Sequence, residues 1–157
     1  FLAGAAFCIA AMSGFGLLMV ASGSLTGPMA MIIPGFAVKN GEPWLSFGVM
    51  GGDMQPQGQA QIIVNMVDYG LGLQEAGDSP RWHHEGSSEP TGQPAQGTGT
   101  LRLETGVPDA TRRALAAMGW KLGEPDGGFG GYQAIEQGPE AYGAASEMRK
   151  DGLALAY

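Results

Sequence analysis

The sequence predicts an α+β fold in which helices are layered on a mixed sheet. Three observations carry this reading. Two apolar runs flank an Asn-Gly pair, the hydrophobic period turns helical after Gly51-Gly52, and 28 glycines fall aperiodically at apparent turns. Met31 to Val38 and Pro43 to Met50 read as strands around Lys39-Asn40-Gly41-Glu42. Asn-Gly supplies the positive φ angles that a two-residue hairpin needs. Both runs are almost continuously apolar, which predicts a central hairpin buried on both faces.

Past Gly51-Gly52, Ala60, Ile63, Met66 and Val67 recur at helical spacing, with Ile62 alongside. Gln59, Gln61, Asn65 and Asp68 lie around them, as on an amphipathic helix. Asp53 is the expected N-cap, Pro56 is tolerated in the first turn, and Gly70 and Gly72 end the helix. A short helix follows in "LQEAGDSPRW" and stops before Pro80. Gly86 to Gly99, rich in Gly, Ser, Pro, Gln and Thr, is expected to be a surface loop. Thr100 to Thr105 alternates as a strand does. Pro108 opens a helix with Val107, Thr111, Ala114, Leu115 and Met118 on one face, and Gly119 closes it. "GYQAIEQG" and "DGLALAY" read as two further short strands.

Composition narrows the function classes. A chain of 157 residues, 44% hydrophobic, is long enough for one domain with its own core. Eight basic against 15 acidic residues give a net charge of −7, without any Lys/Arg-rich run, so nucleic acid is not an expected partner. Cys8 is the single cysteine, which excludes an internal disulfide framework and a thiolate metal site. Phe1 to Val20 carries no charge. It is long enough to span a bilayer, but Gly4, Ser13, Gly14 and Gly16 and the lack of basic flanks favour a buried or irregular segment. A membrane span and a non-native stretch stay open as alternatives. The chain does not begin with Met, which leaves room for residues before Phe1.

Gly51-Gly52 is the principal candidate site. Small residues where a strand hands over to a helix leave consecutive main-chain N–H groups reachable, and the helix dipole adds positive potential there. Such a corner can hold an anion or a developing oxyanion. A tight strand–helix turn is the plain alternative, and Asp53 adds an unhelpful negative charge. His83 and His84 point to opposite sides of an extended chain and cannot readily share a metal, even with Glu85 following. Ser79 lacks a nucleophile-elbow motif to mark it as reactive. "DGGFGGYQ" has no Walker lysine and opens no helix, so a glycine-rich approach to a buried strand accounts for it better than phosphate binding. Arg81 is expected to be structural, paired with Asp78 or Asp68. No metal or organic cofactor is called for.

The stretch "IIPGFAVKNGEPWLSFGVMGGDMQPQGQAQIIVNMVDYGLGLQEAGDSPRW" resembles the small-subunit half of the γ-glutamyltransferase family. It is most similar to the γ-glutamyltransferase-like branch that reads "MGGDMQPQ" at the glycine pair. "YGAASEMRKDGLALAY" is similar to the family's last strands. The resemblance spans residues 28–157, which form the small-subunit domain, while residues 1–27 match poorly. It implies an N-terminal-nucleophile hydrolase with a four-layer αββα sandwich, of which this chain supplies part. It also implies a self-cleaving precursor, a large subunit as partner, and a threonine nucleophile whose own α-amino group acts as base. Gly51 and Gly52 take the place of the family's oxyanion-hole glycines, and Ala30 and Met31 the place of the serines that hold a substrate carboxylate.

Neither Ala30 nor Met31 can donate a side-chain hydrogen bond, so the acyl group is not settled by the likeness. No threonine in the first 25 residues heads a matching segment, and the nucleophile is expected upstream. Three readings follow. The chain serves a γ-glutamyl hydrolase or transferase acting on an amide such as glutathione, a β-lactam side-chain acylase or amidase on the same scaffold, or a catalytically silent subunit. Substrates would be small γ-glutamyl or acyl amides. The compartment, whether periplasmic, secreted or cytoplasmic, is not encoded legibly.

Overall fold

The computed structural model describes residues 34–86 and 97–155. They fall into two compact units, one running up to Asp78 and resuming at Gly130, the other Ser79–Phe129. The first unit contains β1 (Gly35–Lys39), β2 (Glu42–Met50), α1 (Met54–Val67), α2 (Leu73–Asp78), β6 (Gly131–Gln137) and β7 (Tyr142–Ser146). The second contains β3 (Trp82–Glu85), β4 (Thr100–Leu103), α3 (Asp109–Ala117) and β5 (Leu122–Gly123).

The hairpin forms where Asn-Gly demands it. Asn40 and Gly41 have φ of 55° and 86°, and Lys39 pairs with Glu42 across the turn. A bulge follows, because Ala37 faces Leu45 while Val38 faces Pro43. The sheet order is β1-β2-β6-β7, with every neighbour antiparallel. Within this unit the expected mixed sheet is therefore antiparallel throughout. Among the described residues β1 lies at its edge rather than at its centre. The parallel pairing sits in the second unit, between β4 and β5, in a three-stranded sheet ordered β3-β4-β5.

Burial on both faces is not what the first sheet shows. Ala37, Leu45, Phe47, Val49, Tyr132, Ala134 and Ala145 are buried in one core with Ile62 of α1, while Ser46 and Ile135 are exposed. Among the described residues, α1 and α2 cover one face only. The other carries Phe36, Ser46, Ile135 and Ala144, which align across all four strands.

The buried stripe of α1 also differs from the expected one. It runs through Met54, Gln55, Gly58, Gln61 and Ile62, whereas Ala60 is exposed and Val67 is 40% exposed. Gly58 explains the rotation. A Cβ there would stand 2.6 Å from Val49 Cγ1, so the helix lays its glycine onto β2 between the fully buried Met54 and Ile62. Asp53 occupies the N-cap position without a side-chain cap bond. The helix ends at Val67, before Gly70. Leu73–Asp78 is helical as expected, and Gly77 rests on the ring of the fully buried Tyr132, whose hydroxyl donates to Leu73 O at 3.2 Å.

Near the C-terminus the last strand is Tyr142–Ser146, and residues 151–155 are not strand, contrary to the reading of "DGLALAY". The side chain of Glu147, 1% exposed, accepts from Arg149 Nη1 at 2.5 Å, and the same nitrogen donates to Gly77 O at 2.8 Å. This pair anchors the chain after β7 to α2, so the following residues turn back instead of extending the ladder. In the second unit, α3 buries none of its residues, and of the expected apolar face Met118 is 75% exposed. The first 33 residues, and with them Ala30 and Met31, lie outside the described residues, as do 87–96 of the expected loop and 156–157. Among the described residues no helix is long and apolar enough to cross a membrane.

Candidate active site

β2 runs into the glycine pair at one end of the four-stranded sheet. Gly51 and Gly52 both take positive φ, 124° and 57°, and both are exposed. The hydrogen bonds at this corner run through its carbonyls: Met54 N donates to Gly51 O at 3.1 Å and Gln55 N to Gly52 O at 3.0 Å. Among the described residues neither glycine amide is a donor in the turn and loop hydrogen bonds. They stand at the positive end of α1, whose first N–H groups have no partner within the helix.

The two glycines are not equivalent. A Cβ on Gly51 would lie 3.2 Å from both Gly130 Cα and Met54 Cβ, so that residue is small because neighbouring main chain comes close. A Cβ on Gly52 would meet nothing within 4 Å. Its lack of a side chain is set by the backbone conformation and by the open space in front of it.

A second pair of glycines meets the corner from β6. Gly130 has φ 78°, and a Cβ on it would stand 2.4 Å from Met50 O. Gly131 pairs with Met50, and the stem of Lys150 passes over it. Gly130-Gly131 of "DGGFGGYQ" thus make the expected close approach to a strand, and the register of β2 and β6 shows that strand to be the one that carries the candidate site. On the open face of the sheet, a groove of about 370 Å³ is lined by Ser46, Gln133, Ile135, Ala144 and Ser146, with Leu153 to Leu155 along it.

The other candidates are structural. His83 is buried and sits 3.8 Å from Glu85, whereas His84 Nε2 lies 2.6 Å from Thr98 O and its ring meets Trp120 edge-on at 5.6 Å. The two imidazoles do point apart. Arg102 bridges Glu85 at 3.0 Å and Asp126 at 3.3 Å. The Gly128 amide, with help from Arg102, holds the Asp126 carboxyl below the ordinary carboxylate range, and the bond to Glu85 raises Arg102. Arg81 is buried and donates to Phe129 O at 2.8 Å, while its own amide donates to Glu104. Among the described residues no group of three metal-ligating side chains exists.

Comparison with known proteins agrees with the fold. The sequence pattern of gamma-glutamyltranspeptidase matches residues 24–157. The glutathione hydrolase proenzyme of Escherichia coli (strain K12) is 33% identical over 132 residues, covering 83% of this chain and 21% of that protein. The acylase ACY 1 proenzyme of Pseudomonas sp. (strain SE83) is 34% identical over 125 residues, covering 78% and 20%. The crystal structure of cephalosporin acylase from Bacillus halodurans superposes with a TM-score of 0.66 at 36% identity, over 79% of this chain and 22% of that one. The chain thus spans about a fifth of the length of these curated relatives. Its architecture is the α+β arrangement of N-terminal-nucleophile hydrolases. With the match running through most of its length, the chain belongs to the gamma-glutamyltranspeptidase family.

Proposed function

We propose that residues 28–157 are the small-subunit domain of an N-terminal-nucleophile enzyme that cleaves or transfers a γ-glutamyl or related acyl group from an amide. The nucleophile in this reading is a threonine upstream on the same precursor, activated by its own α-amino group. It attacks the amide carbonyl, the amine leaves with a proton, and water or an acceptor amine then resolves the threonine ester. Gly51 and Gly52 supply the main-chain N–H groups that receive the oxyanion. On this reading Ala30 and Met31, which take the place of the family's carboxylate-holding serines, offer no side-chain donor, and an acyl group without an α-carboxylate would suit them.

The observation that carries this reading is the glycine corner itself. Both residues are exposed at positive φ, and their amides are not engaged by the turn and loop hydrogen bonds of the described residues. The open sheet face with Phe36, Ser46, Ile135 and Ala144 supports the partner as well, since an αββα sandwich packs a second sheet there. A large subunit from the same precursor, carrying part of that layer, is the proposed partner.

The acylase reading stays beside it because one relative is an acylase proenzyme and another superposes as a cephalosporin acylase. Turnover of γ-glutamyl and glutaryl p-nitroanilides by the mature protein separates the two. Gly52→Val in that protein is expected to lower turnover of the preferred anilide at least about a hundredfold, the effect of losing an oxyanion donor. Wild-type turnover in a folded Gly52→Val protein rejects the assignment of the corner.

A further inference from the structure

We infer that Asp53 sets specificity on the amine side of the scissile bond, its carboxylate disfavouring amides whose amine carries an anionic group; this rests on the reading of Gly51 and Gly52 as the oxyanion corner. Asp53 follows the corner directly and occupies the N-cap position of α1. A carboxylate there ordinarily accepts from the amide of the second or third helical residue. Both routes are closed. Gln55 N donates to Gly52 O at 3.0 Å, and Pro56 has no N–H. No side-chain cap bond forms, and among the described residues no hydrogen bond or ion pair engages the carboxylate.

Covalent geometry fixes where that charge lies. Asp53 is exposed, with φ −64° and ψ −16°. In this helical setting the Cα–Cβ bond tilts toward the start of the helix, which is the side of the corner. Consecutive Cα atoms are about 3.8 Å apart, so the chain itself keeps the carboxylate within roughly 8 Å of the Gly52 amide. The space before that amide is open, since a Cβ on Gly52 would meet nothing within 4 Å.

The charge pattern isolates Asp53 further. It is the single charged residue between Glu42 and Asp68, and no basic residue stands between Lys39 and Arg81. A lone carboxylate beside a forming oxyanion brings no rate advantage of its own. It does sort what comes near by charge. The two amides fix the acyl carbonyl, whereas the amine departs to solvent, and an acceptor arrives from it, past an exposed residue. An anionic group on that amine is repelled, and a neutral or cationic amine is not. The substrate class is then an amide of a neutral or cationic amine, with a peptide amine that keeps its carboxylate, as in glutathione, the poorer leaving group. A unit charge at about 8 Å is worth about twofold to thirtyfold as the effective dielectric falls from about 80 to about 20.

The test uses the mature protein and its preferred acyl group on two anilines, neutral 4-nitroaniline and anionic 3-carboxy-4-nitroaniline. Asn suits an N-cap position as well as Asp does, so Asp53→Asn keeps the helix start. It is expected to raise the anionic-to-neutral ratio of kcat/KM about twofold to thirtyfold, and Asp53→Lys to raise it further. Salt at about 0.5 M should raise the ratio in the wild type and leave it unchanged in Asp53→Asn. Comparing ratios between proteins cancels the intrinsic reactivity of the anilines and any equal effect of the charge on the oxyanion. A ratio unmoved by both substitutions overturns the inference while leaving the corner standing. An equal gain or loss on both anilides also overturns it, because it marks a charge that acts on the oxyanion or the helix alone. A wild-type protein that cleaves neither anilide rejects the parent reading and this one with it.

Discussion

Replacing each corner glycine with alanine separates two reasons for a residue to be glycine. At Gly52, φ is 57° and an added methyl meets nothing within 4 Å. An alanine held in the left-handed region costs about 1–2 kcal/mol, and roughly 0.4–1 kcal/mol returns from the stiffer unfolded chain. The net effect on folding is about 0–1.6 kcal/mol. The methyl would nevertheless stand two bonds from the Gly52 nitrogen, in the space that a reacting carbonyl oxygen would enter on the proposed reading. If that oxygen is displaced, the loss approaches the ~2.7–4 kcal/mol of an oxyanion donor, a factor of about 10²–10³ in kcat. At Gly51 the balance reverses. Its φ of 124° is a setting L residues rarely adopt, and its methyl would press at 3.2 Å on Gly130 Cα and Met54 Cβ. Strain of about 1–3 kcal/mol plus that contact falls on folding first. Thermal unfolding and p-nitroanilide release, measured on both variants of the mature protein, should show Gly52→Ala nearly as stable as wild type but at least a hundredfold slower, and Gly51→Ala unstable. Gly52→Ala with wild-type kcat/KM refutes the oxyanion argument, because the methyl then sits where no substrate atom comes.

Three further outcomes test the frame around the corner. Gly77→Ala places a Cβ 2.3 Å from Tyr132 Cδ1, on a ring that is fully buried, and should destabilise the protein by about 1–3 kcal/mol in urea unfolding. Arg149→Ala leaves the buried Glu147 carboxylate without its 2.5 Å partner and should cost about 3–5 kcal/mol, with much of it recovered when Glu147→Gln is added. Asp126→Asn tests a pH dependence: the folded carboxyl titrates below its unfolded value, chiefly through the Gly128 amide, so its contribution is present at neutral pH and lost as pH falls through the folded pKa. The Tm gap between wild type and Asp126→Asn should therefore be full above the ordinary aspartate pKa of about 3.9 and close below it.

Local chemistry was the legible part of this fold. Asn40-Gly41 requires a tight hairpin, Pro80 stops α2 and Pro108 opens α3, and each does so here. What escaped the sequence were contacts made by residues with nothing to show. Gly58 and Gly77 carry the closest packing of α1 and α2, yet a glycine inside a helical pattern reads as a weakness rather than as a contact. The Glu147–Arg149 pair, which turns the chain away from the strand expected at "DGLALAY", spans two residues in sequence but depends on Gly77, 72 positions away. Gly51-Gly52 was visible as a break in period. Its neighbours Gly130 and Gly131 were not, because only the antiparallel register of β2 and β6 brings them together.

The unmet expectation of double burial is itself informative. β1 and β2 are apolar at nearly every position, the pattern of strands covered on both sides. Within the described residues helices cover only the face bearing Ala37, Leu45, Phe47 and Val49, and Ile135 on the other is 53% exposed. Sequence pattern records every surface a strand meets in the finished protein, whereas these residues contain only some of those surfaces. The same holds for chemistry. The corner offers main-chain donors at one end of the sheet, but among the described residues no side chain is assigned as nucleophile or base. Catalysis on the proposed reading is completed when the second layer closes that face, since it would bring the threonine, exclude water and raise the strength of the two amides toward the oxyanion. Folding and activity are then one assembly event, and the half-open sheet is the template on which it occurs.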